Sequence, residues 1–179
     1  MTAEALYLAG AVGVAGIGAM TDIASRRIPN RLTYSAMLVA IAGHALLQGW
    51  RGLGSALAGG LISGGVFLAF FLVHAMGAGD VKLITAVGCL VGSELAVEVL
   101  LAAAIAGGIM AIVLAMWQRK LRTVLVNVFE LIRFHAVAGA EVHPSINLSN
   151  PQATRLPYGV AIAAGVLYSA VAFYRRGGI

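Results

Sequence analysis

The chain has 179 residues, of which 60% are apolar and only 11% charged, against a charged share of about 25% in soluble domains. So few polar groups could not cover a water-soluble globule, and the same composition excludes intrinsic disorder; the single cysteine, Cys89, excludes a disulfide framework and a multi-cysteine zinc site. The net charge of +5 is scattered among apolar runs, where basic residues mark a membrane-water boundary and not a nucleic-acid surface.

The pattern predicts an all-α, polytopic membrane protein forming a single membrane-embedded domain over 1–179. A first span covers 4–21; it opens on Glu4 and not on a basic residue, so a cleavable signal peptide is not expected. A polar run follows, with Asp22, Arg26, Arg27, Pro29, Asn30 and Arg31. Spans two and three are expected at 32–48 and 53–75, separated by Gln48-Gly49-Trp50-Arg51. The third is rich in small residues, Gly59, Gly60, Ser63, Gly64 and Gly65, which let neighbouring backbones approach. As one helix, 81–117 would measure about 55 Å, too long for a hydrocarbon core of about 30 Å. A reversal at Gly92-Ser93-Glu94 divides it into spans at 81–93 and 95–117. Residues 119–135 place Leu121, Val124, Leu125, Val128 and Ile132 on one helical face and Arg119, Arg122, Asn127, Glu130 and Arg133 mainly on another. That is the pattern of an amphipathic helix in the interface plane. A polar loop, Glu141–Pro151, leads to the last span at 156–174, for about six crossings in all.

With that topology Arg26, Arg27, Arg31, Lys82, Arg119, Lys120, Arg122, Arg133 and Arg155 share one side, and only Arg51, Arg175 and Arg176 the other. The positive-inside rule makes the first side cytoplasmic.

The only aspartates are Asp22, at the end of span one, and Asp80, at the start of span four. Two whole spans intervene, so both lie at the same membrane face whichever way the chain is oriented. Carboxyl groups at the edge of hydrocarbon are costly and have a task or a partner. Two brought close together would share a proton, one acting as base on water while the other polarises a peptide carbonyl. Each also has a structural alternative: Asp80 as helix cap, and Asp22 as an anchor beside Arg26.

The surroundings of both acids resemble a known family. Gly77-Ala78-Gly79-Asp80-Val81-Lys82 is similar to the GxGD motif of intramembrane aspartyl proteases, in the form used by type IV prepilin peptidases. Asp22-Ile23-Ala24-Ser25-Arg26-Arg27-Ile28-Pro29-Asn30 resembles that family's first-aspartate segment, and Pro157-Tyr158-Gly159 its third landmark. Presenilin-type proteases carry Tyr before the first aspartate, where this chain has Thr21. The resemblance runs over 15–175 and is nearest to the short peptidases of tight-adherence (Flp) pili.

It implies Asp22 and Asp80 as the catalytic pair, with no cofactor, and cleavage of a prepilin after a glycine at the cytoplasmic membrane boundary. Gly77 and Gly79, lacking side chains, would admit the substrate backbone, together with Pro157, Tyr158 and Gly159; a tight turn is the structural alternative for the two former. Lys82 and Arg26 are candidates for electrostatic support. On a regular helix, however, Lys82 points away from Asp80 and serves as a headgroup anchor, and Arg26 and Arg27 serve as topology anchors. Pro29 is expected to start span two. No metal is expected at His74, His135 or His143, which have no acidic cluster at ligand spacing. The paired Cys-x-x-Cys segment of the bifunctional family members is absent, so methyl transfer is not expected. Expected partners are prepilins and membrane lipids, with no nucleic acid; homodimerisation and contacts with pilus-assembly components are left open. A proton-coupled transporter and a non-enzymatic pilus or secretion scaffold are the competing functions.

Overall fold

The computed structural model describes residues 3–139, 141–147 and 156–177. Among them the chain forms five helices and no strand: α1 (Ala3–Ser25), α2 (Asn30–Leu72), α3 (Ala78–Trp117), α4 (Leu121–Ala138) and α5 (Tyr158–Arg175). All but α4 are long and apolar enough to cross a membrane, which makes this a multi-pass membrane protein. Of the expected loop Glu141–Pro151 only 141–147 is described, and Arg155 lies outside the described residues.

Spans expected as separate pairs are joined. Spans two and three are both in α2, and four and five are both in α3, because the backbone leaves helical geometry at one glycine in each: Gly49 (φ 64°, ψ −149°) and Gly92 (φ 72°, ψ 178°). Both lie within or beside the expected breaks. A side chain would be strained at either φ, and the Gly92 conformation is essentially glycine-only. The chain folds sharply after Gly49. Gly52 packs on the His44 carbonyl, eight residues back, which a straight helix would hold about 12 Å away.

A break in a buried helix frees backbone groups that must find partners. α2 supplies them. His44 Nε2 donates to the Leu90 carbonyl (3.1 Å), just before the break, and Ser55 Oγ accepts from the Ser93 N–H (3.1 Å), just after it. His44 is buried and stacks on Tyr7 of α1, ring centroids 3.8 Å apart. Replacing His44 with Ala is therefore expected to destabilise the protein by about 2–4 kcal/mol, since it strands a buried carbonyl and leaves a cavity. Thermal unfolding in detergent would read the loss.

The first half of α3 forms the centre of the bundle, with Leu83, Ile84 and Val87 fully buried. Around it pack Ala11 and Ala15 of α1, Ala40 and Phe67 of α2, and Ile162 and Val166 of α5. In α1 the buried positions recur every three or four residues and end on Asp22, so the stripe that buries the helix also turns this acid into the bundle. α4 covers the expected amphipathic segment, displaced slightly toward the C-terminus, and contributes no buried residue.

Candidate functional site around Asp22 and Asp80

Asp22 and Asp80 line one cavity of about 440 Å³, formed where the end of α1, the turn into α2 and the start of α3 converge. The two acids are near enough for their charges to interact. Arg26, Arg27, Pro29, Asn30, Gly77, Gly79 and Lys82 also line it.

Each carboxylate is held by the amide of a helix terminus. Gly77 is the N-cap of α3, and Asp80, at the third helical position, accepts the Gly77 N–H on Oδ2 (3.3 Å). Asp80 is therefore not the cap residue of the structural alternative; it makes the reciprocal bond from inside the first turn, where the positive end of the helix dipole favours an anion. Asp22 is 7% exposed and accepts the Gly159 N–H on Oδ2 (3.0 Å). Gly159 is the second residue of α5, whose N-cap, Pro157, has no side-chain acceptor. Asp22 thus performs across the bundle the service an N-cap side chain performs locally.

That bond requires close approach. A Cβ on Gly159 would lie 3.1 Å from Asp22 Cβ, 3.2 Å from its Oδ2 and 3.3 Å from Ala19 Cα. The Pro157-Tyr158-Gly159 landmark sits behind Asp22 and does not line the cavity. The Tyr158 ring meets Phe67 edge-on (5.6 Å) and fills the space opposite Gly107, leaving its hydroxyl within electrostatic reach of Asp80.

Lys82 lines the cavity wall but makes no ion pair with Asp80. Its ammonium donates to Asn30 Oδ1 (2.9 Å) and stands 5.6 Å from the centre of the Tyr34 ring, tying the start of α2 to the start of α3. Asn30 in this role was not singled out from the sequence; its only signal was its place in the Ile28-Pro29-Asn30 run. Pro29, expected as the first residue of the helix, is instead the N-cap of α2, one position before its start at Asn30, and its carbonyl accepts the Leu32 N–H (3.1 Å). Arg26 adopts a left-handed conformation (φ 53°), and its N–H returns to the Asp22 carbonyl (2.9 Å). This closes α1 directly after the acid and turns the chain toward α2. Ile28 packs against Gly79, where a Cβ would find it at 3.4 Å.

His74 lies outside the cavity, bonded to the Leu72 carbonyl (3.3 Å). His143 approaches Glu130 (3.7 Å) and packs on Phe134, while His135 bonds to the Leu131 carbonyl (2.8 Å). Among the described residues no group of His, Cys, Asp and Glu is arranged to hold a metal ion.

The chain has no significant match among curated proteins or among solved structures. The family model described as the type IV leader peptidase family matches residues 9–112, a stretch that includes both aspartates and the cavity between them. By that match, which covers more than half of its length, the chain belongs to the type IV leader peptidase family.

Proposed function

We propose that the protein is an intramembrane aspartyl endopeptidase that removes the leader of Flp-type prepilins, with Asp22 and Asp80 as its catalytic pair. The observation that carries this reading is the shared cavity: the only two aspartates, far apart in sequence, line one polar recess at a single end of the bundle. One carboxylate takes a proton from water as the water attacks the scissile carbonyl, while the other, protonated, gives its proton to the developing oxyanion; as the gem-diol collapses the first passes its proton to the leaving amine and the second takes one back from the diol hydroxyl. The helix-terminal amides hold one oxygen of each acid and so fix its direction. Gly77 and Gly79, at the cavity wall, leave room for an extended substrate backbone. Arg26 and Lys82 add positive charge at the same wall.

Counting a reversal at Gly49 and another at Gly92, the chain crosses the membrane about six times as a single domain. The halves, 30–48, 50–72, 78–91 and 93–117, then measure about 28, 34, 21 and 37 Å, of the order of one bilayer each. The positive-inside rule supports a cytoplasmic cavity in a bacterial inner membrane, with α4 along the interface. A basic prepilin leader would remain in the cytoplasm and its apolar helix in the bilayer, which delivers the bond between them to the cavity.

The test is direct. Purified protein in lipid is incubated with Flp-type prepilins, and the product N-terminus is located by mass spectrometry. Cleavage after the boundary glycine, with an unmethylated new N-terminus, is expected; intact prepilin under all conditions would overturn the assignment. Gly159→Ala should lower the cleavage rate by about 10–10²-fold, because the added methyl displaces Asp22 and its amide partner by a fraction of an ångström. Circular dichroism should show unchanged helix content.

A further inference from the structure

A second cavity, of about 470 Å³, lies at the other end of α1. Glu4 lines it, and Asp22 lines the first; eighteen residues of helix separate them, about 27 Å, close to a hydrocarbon thickness of about 30 Å. This second cavity therefore sits at the opposite membrane boundary. Beside it the Gly49 turn leaves Trp50 87% exposed, next to Arg51, the placement of an interfacial anchor.

We propose that this cavity binds the headgroup of a zwitterionic aminophospholipid, phosphatidylethanolamine. The wall carries both signs of charge, Arg51 against Glu4 and Glu94, and among the described residues none of the three is in an ion pair. Tyr7 also lines it, 7% exposed, and its buried hydroxyl has no hydrogen-bond partner. An orphaned buried hydroxyl is costly unless something occupies the site.

The rest of the wall is amphiphilic. Leu8, Leu95 and Phe173 provide an apolar side for the upper part of a lipid chain. His44 and Gln48 form the polar back. His44 Nε2 faces the Leu90 carbonyl, which only accepts, so that nitrogen carries the proton; Gln48 lies 3.0 Å from Nδ1. Both His44 nitrogens are thus engaged inside the bundle, and the ligand is read by Arg51, Glu4, Glu94 and Tyr7. A phosphate satisfies the guanidinium and accepts the Tyr7 O–H, while a primary ammonium donates to the two carboxylates. Choline, which has no N–H, cannot make the second set, and a glycerol headgroup lacks the positive charge.

The proposal is tested on the full-length protein in detergent, mixed with equal amounts of phosphatidylethanolamine, phosphatidylcholine and phosphatidylglycerol. Native mass spectrometry reads the lipid retained, and thermal unfolding reads stabilisation. Phosphatidylethanolamine should be retained about tenfold over the other two and should alone raise the unfolding temperature. Arg51→Gln and Glu94→Gln should each abolish the preference. Tyr7→Phe, which removes only the unpartnered hydroxyl, should fold normally and retain less phosphatidylethanolamine. Equal retention of the three lipids by the wild type, or an undiminished preference in folded Arg51→Gln and Glu94→Gln, would overturn the proposal. So would stabilisation by soluble glycerophosphoethanolamine without any by the lipid. Prepilin cleavage is not the readout, so failure here leaves the peptidase reading standing.

Discussion

Asp22→Asn and Asp80→Asn should each reduce prepilin cleavage by at least about 10³-fold, with membrane insertion and helix content retained. The two substitutions differ in what they leave behind. At Asp80 the amide keeps an oxygen that can accept the Gly77 N–H, so helix α3 should start where it does now. At Asp22 the same isostere can still accept from Gly159, and α5 should stay docked. Loss of cleavage in folded variants therefore reads the chemistry of the carboxyl group and not its packing. Product formation followed by mass spectrometry, with circular dichroism as the control for folding, separates the two. Cleavage at the normal rate by either variant would remove that residue from the mechanism.

The second large effect falls on stability. Gly59→Val should cost about 3 kcal/mol or more, a large part of a membrane domain's margin, and should leave little folded protein after extraction. A Cβ at Gly59 would collide with the Gly88 carbonyl oxygen and lie 2.6 Å from the Gly92 carbonyl carbon. In the reverse direction, a Cβ at Gly88 would meet the Gly59 carbonyl and lie 2.5 Å from Ser63 Oγ. The backbones of α2 and α3 thus touch over this stretch, and no rotamer change can make room. Gly65, on the same small-residue run, has nothing within 4 Å of a built Cβ. Gly65→Ala should accordingly be neutral or mildly stabilising, and a comparison of unfolding temperatures distinguishes the contact from a general need for glycine.

Much of the arrangement could be read from residue order alone. Parity predicted Asp22 and Asp80 at one face, and both line one cavity; the breaks at Gly49 and Gly92 fall at the polar or small residues expected to divide the spans. What the sequence could not express is contact between distant segments. The partner of Asp22 is a backbone N–H 137 positions away, and a peptide amide has no residue-specific signature. Gly159 was legible only as part of a resemblance, and its task of admitting a carboxylate from another helix needed coordinates. His44 gave no signal at all: a histidine in an apolar run carries no mark that the carbonyl it satisfies belongs to Leu90. For Lys82 the offset from Asp80 could say only that the two do not share a helix face; that its ammonium meets Asn30 of another helix had no signal in the spacing.

The bond from Gly159 to Asp22 also orders events during biosynthesis. A ribosome releases α1 first and α5 last, so for most of synthesis the first acid lacks the amide that orients it. A nascent or truncated chain holds the second acid in place through its own helix start, but not the first. On the proposed mechanism, a chain that stops short of α5 lacks the amide that orients Asp22 and should cleave poorly even if its first helices are inserted.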